Sequence, residues 1–153
     1  MILWNAELTK RLACSDKEKA ALPAIVQELL AISDKTRNEG ILPLASADLP
    51  LADQSKPDRS KIDQSPMLYY GFRLIAEGLS TEALEGILAI YLSTSAYSGF
   101  EFLKQCMYVE ALLSIAAGDS RELLLRKLVP YCGAEKAYSL LKALDAENNP
   151  KAL

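Results

Sequence analysis

The chain has 153 residues, half of them hydrophobic and 24% charged, with a net charge of −3 and no histidine. That length suffices for one domain with a sizeable core, and the composition excludes a disordered polymer. The acidic balance supplies no field to gather phosphates, so nucleic acid is excluded as a main partner.

Residues 2–13 form a short helical segment in which Leu3, Trp4, Leu8 and Leu12 share a side. Trp4 reads either as a clamp onto the main body or as an exposed contact, and the clamp is favoured because tryptophan area is mostly spent on packing. Ser15 and Glu18 then make a capping box. The helix it opens carries Leu22, Ile25, Val26 and Leu29 on one face, and Pro23 inside it should kink it or split off a first turn. The same helix turns polar through Ser33, Asp34, Lys35, Arg37 and Glu39 before Gly40 stops it. A short apolar piece, 41–44, follows. From about 45 to 65 the composition becomes polar and proline-containing, which reads as a long surface loop, functional or a spacer.

Residues 65–92 read as a helical hairpin. Ser65 caps a helix begun by Pro66, with Leu68, Phe72 and Ile75 on one face. Gly78 closes it in the left-handed region, and Ser80 caps a second helix carrying Leu84, Ile87, Leu88 and Tyr91. After Gly99, Phe102, Cys106, Val109, Leu113 and Ala116 recur at helical spacing. Leu103, Met107, Leu112 and Ile115 widen that stripe, so this helix should be the most buried. Gly118 ends it, and residues 119–122 read as an aspartate version of the capping box. Leu124, Leu125, Leu128 and Val129 continue to Pro130 and Gly133, and Ala137, Leu140, Leu141 and Leu144 give a last amphipathic helix. No segment alternates like a strand. The chain therefore reads as a single all-α domain over 1–153, a compact multi-helix domain of six to eight helices built around the central hairpin.

Chemistry is hard to place on these elements. Without histidine no Ser–His or Cys–His pair is available, and no phosphate-binding glycine loop occurs. Cys14, Cys106 and Cys132 lack CxxC spacing and read as buried free thiols rather than as zinc ligands. Reduced thiols fit a cytoplasmic location. The first residues lack the basic and apolar regions of a signal peptide. The longest uncharged stretch, 86–100, is too short and too polar to span a bilayer. A soluble protein that is not an enzyme is expected, with no catalytic, cofactor-binding or metal-binding residue assigned and no transmembrane segment. The charged end of the second helix, at Lys35, Arg37 and Glu39, is the candidate partner-binding edge, although a plain solvated helix end would look the same.

Residues 29–44, LLAISDKTRNEGILPL, resemble a signature of the flagellar motor stator family, the motility protein A group. Leu29 or Leu30, Arg37, Gly40, Ile41, Leu42 and Leu44 fall into its frame. Residues 72–78 followed by 80–84 look like the family's next helix end and restart, so the resemblance covers about 25–92. It implies a bacterial protein keeping the stator's cytoplasmic helical region, with Arg37 at the place of the arginine that engages the rotor. The family's closing glutamate falls at Ala45, and its membrane helices have no counterpart.

Two functions follow as expectations. The first is a non-catalytic cytoplasmic protein–protein interaction module, tied by the resemblance to flagellar motility and to rotor or stator components. The alternative is a structural helical homo-oligomer unrelated to motility, with Trp4, Tyr91, Tyr97 and Phe100 as anchors of an uncovered apolar stripe. A ligand-binding or enzymatic bundle would need polar groups converging on an internal pocket.

Overall fold

The computed structural model describes residues 6–45 and 65–148. Trp4 and most of the polar stretch between 45 and 65 lie outside them, as does Leu3. The described residues are helical with no strand, the compact multi-helix all-α fold expected. Its elements are α1 (Ala6–Leu12), α2 (Asp16–Lys19), α3 (Leu22–Glu39), α4 (Leu42–Ala45), α5 (Pro66–Ala76), α6 (Thr81–Thr94), α7 (Gly99–Ala117), α8 (Arg121–Leu128), a 3-10 turn (Val129–Cys132) and α9 (Ala134–Asn148).

Local chemistry sets most of the boundaries. Ser15 accepts from the Glu18 amide while Glu18 Oε1 accepts from the Ser15 amide, closing the capping box. That helix stops at Lys19, and Pro23 sits in the first turn of α3, where its missing N–H costs nothing. Ser65 and Ser80 cap α5 and α6 by accepting from the amides of Leu68 and Ala83. Gly118 ends α7 at φ 72°, with the Asp119 amide reaching back to the Ser114 carbonyl at 3.0 Å. Only a residue without Cβ takes that conformation freely.

Helix α7 is the axis of the molecule. Phe102, Cys106, Met107 and Leu112 on it are fully buried, as the width of its apolar stripe predicts. Helices α1, α3, α5, α6 and α8 all pack against it. The two arms of the hairpin touch α7 more extensively than they touch each other, so α7 lies across both. The α5 crossing is close because Gly71 faces Leu112: a Cβ at 71 would fall 2.3 Å from Leu112 Cδ1. Leu22, Val26, Leu29 and Leu30 complete the core from α3, and Leu124, Leu125 and Leu128 from α8.

Arg11 fastens α1 to this core. Its guanidinium donates to the carbonyls of Ser95 and Tyr97, both at 2.9 Å, and to that of Leu92 at 3.4 Å. It also lies 4.0 Å from the centre of the Phe102 ring. The cation thereby adds a donor at the end of α6, where the helix dipole favours positive charge and where the Leu92 carbonyl also accepts from the Ser95 amide and hydroxyl.

The cysteines are free, with Cys106 and Cys132 buried and Cys14 half-buried. Burial pushes the Cys106 thiol up to about 12 and Cys132 up to about 11, which leaves almost no thiolate near neutral pH. A thiol reagent added to the native protein should therefore modify Cys14 first, and the other two only in denaturant. Fast labelling of all three would show that the core opens freely.

Candidate functional site

The end of α3 meets the turn between α7 and α8 in a charged corner. Arg37 donates to the Asp119 carbonyl at 3.0 Å, to Ser33 Oγ at 3.3 Å and to Asp34 Oδ1 at 3.4 Å. Asp34 also pairs with Arg121 of α8. The Asp119 carboxylate accepts from Lys127 Nζ and from Ser114 Oγ, each at 2.5 Å. Asp119 therefore does not cap α8. Ser120 does, accepting from the Leu123 amide, because the chain closing α7 turns the Asp119 side chain back toward α7.

Of the three residues expected to bind a partner, the corner holds only Arg37 in this network, with 45% of its side chain exposed. Lys35 and Glu39 are exposed on the same helix end and are not brought into the cluster. Ala45, which the resemblance pairs with the stator family's closing glutamate, is buried against the core on the helix that packs on α5.

Burial alone would raise the Asp119 carboxyl, but the hydrogen bonds from Lys127 and Ser114 outweigh it and hold it below the usual carboxylate value. A carboxyl depressed by folding stabilises the protein above its unfolded pKa of about 4, and that contribution disappears as pH falls through the lower folded value. Wild type should be more stable than Asp119→Asn at neutral pH, and the two should converge as pH falls through the lowered folded-state value. Denaturant midpoints measured across that range check it. A constant gap would show that the Asp119 charge is not what holds the corner.

A second feature lies on the second arm of the hairpin, α6. The exposed side of α6 carries Glu82 in its first turn and beyond it only Ala83, Gly86, Ala89, Ile90, Ser93 and Thr94, with Ile90 65% exposed. Beside it Tyr70 of α5, 40% exposed, stacks on Tyr91 with ring centres 5.9 Å apart. No charged residue occurs between Gly86 and Phe100. The hydroxyls of Ser93 and Thr94 donate to the Ala89 and Ile90 carbonyls at 2.8 and 2.9 Å. Their protons are satisfied within the helix, so covering them leaves no donor stranded.

An uncovered apolar stripe was expected, but its membership differs. Tyr97 and Phe100 pack against the core, and Tyr91 is half-buried under Tyr70. Ile90 and Tyr70 are the exposed members. Ile90 was legible as an apolar residue off the buried Leu84, Leu88 and Leu92 line, on a helix side with no charge. A cleft of about 360 Å³ also opens between α1, α7 and the 3-10 turn, floored by Leu12 and Leu103. At its edge Tyr131 donates to Glu110 at 3.4 Å, and burial with that carboxylate raises the phenol's pKa.

None of the described helices is long and apolar enough to cross a membrane. Compared with protein-family models, with curated proteins and with solved structures, the chain matches none.

Proposed function

We propose that this protein is a non-catalytic helical interaction module that docks a protein through the outer side of α6. The observation supporting this reading is the uncharged face around Ile90, flanked by the Tyr70–Tyr91 stack. Apolar side chains left in water at one place are the mark of a surface that a partner covers, and aromatic residues beside them supply contact area at little entropic cost. The motility reading belongs here as well: the likeness of 25–92 to the stator cytoplasmic region makes rotor and stator components the first proteins to test.

A photocrosslinking residue at position 90, compared in cells with one at exposed Glu135 on α9, tests the docking. A discrete product from position 90 alone supports it, and crosslinked rotor or stator proteins would support the motility reading. Equal products from both positions, or none, would remove the α6 face as a docking site.

A further inference from the structure

The α6 face has a shape as well as a polarity. Ala83, Gly86, Ile90 and Ser93 are all exposed and are spaced by three, four and three residues, the spacing of a helix–helix seam. Within it Ile90 is a projecting knob, and one turn earlier a Cβ placed on Gly86 would meet nothing within 4 Å. The surface thus carries a knob and a hole side by side. Two such surfaces related by a two-fold axis and running antiparallel match each other: Ile90 of each copy falls over Gly86 of the other. A two-fold interface requires that reciprocity.

Building on the docking reading, we propose that the partner covering α6 is a second copy of this chain, packed antiparallel on its own α6. The charges favour this orientation over the parallel one. Parallel packing would bring the Glu82 carboxylates of the two copies together. The antiparallel register instead sets Glu82 opposite Thr94, and the two Glu82 side chains then stand roughly 18 Å apart at the helical rise, beyond the screening length in physiological salt. The small residues at 83, 86 and 93 let the helix backbones come close, and the internally bonded hydroxyls of Ser93 and Thr94 can be dried without loss. Area sets the strength. Helix α6 is about 20 Å long, and α5 lies beside it at the usual spacing of about 8–10 Å. A footprint of roughly 20 by 20 Å per copy belongs to the size class of weak, transient contacts, so the dimer should dissociate in the high-micromolar range.

Sedimentation equilibrium of the purified full chain, wild type against Ile90→Glu and Gly86→Leu, tests it. The Gly86→Leu substitution is the decisive one. It adds apolar surface and replaces a poor helix former with a good one, so general stickiness would strengthen association. Filling the hole should instead raise the dimer dissociation constant more than tenfold while the melting temperature holds or rises, and Ile90→Glu should do the same to the dimer. A wild type that stays monomeric up to about 0.5 mM, or a dimer indifferent to Gly86→Leu, overturns the proposal. A monomer whose position 90 still crosslinks a different protein in cells would overturn the second copy as partner and leave the docking reading in place.

Discussion

Replacing Arg11 by alanine should cost about 3 kcal/mol, the sum of charge-assisted bonds to carbonyls and a cation on a buried ring. The side chain is half-buried, and its guanidinium serves the carbonyls of Leu92, Ser95 and Tyr97 while covering Phe102, which has no exposed surface. Without it those carbonyls lose donors at a place that α1 shields from water. For a chain of this size the loss corresponds to a fall in melting temperature of roughly 6–12 °C. Arg11→Lys should recover less than half of it, because one ammonium cannot span three carbonyls and lie flat on a ring. A change under about 2 °C in Arg11→Ala would mean that α1 contributes little to the folded state.

The second large effect belongs to the α5–α7 crossing. Gly71→Ala gains about 1 kcal/mol of helix propensity, but its methyl would lie 2.3 and 2.7 Å from the two terminal carbons of Leu112. Leu112 is fully buried, so its terminal carbons could move aside only by displacing packed neighbours, and overpacking of about 1–3 kcal/mol should outweigh the gain. Gly71→Val, bulkier and branched, should cost more still. Leu112→Ala alone should cost about 2–5 kcal/mol through the cavity it opens. In the double variant Gly71→Ala/Leu112→Ala the new methyl enters that cavity, so the combined loss should be clearly smaller than the sum. Urea titrations of the four proteins measure the coupling. Agreement with simple addition to within about 0.5 kcal/mol would show that the two residues do not press on each other.

These residues also show how far the fold could be read before the structure was in hand. Helix starts at Ser15, Ser65 and Ser80 and stops at Gly78 and Gly118 were legible because a cap and its amide lie within a few residues of each other. Asp119 was misread as a cap for the same reason: the pattern is local, but its partners, Ser114 and Lys127, are fixed by how α7 and α8 meet. Arg11 carried no signal at all, since its acceptors lie more than 80 residues away. Gly71 drew no reading from the sequence, and only the crossing with α7 explains it. At the candidate site, the uncharged run after Gly86 was visible in the sequence. Which of its members face outward depended on where α5 and α7 lie. Arg37 was found as a charged helix end, yet its bond to the Asp119 carbonyl is a tertiary fact that no spacing encodes.

The packing of α4 on α5 has a consequence for how this chain can change over time. Ala45 ends α4 and Pro66 begins α5, and these two helices lie against each other, so one packed pair of helices anchors both sides of the connection. The entropy of closing a loop on such a pair rises only logarithmically, about 0.6 kcal/mol for each doubling of its length. A change of length between α4 and α5 should therefore have a small thermodynamic cost, whereas the turns on either side of α7 are only a few residues long. This is the place where the gene can acquire or shed sequence, even a foreign domain, while the helical body below it stays as it is.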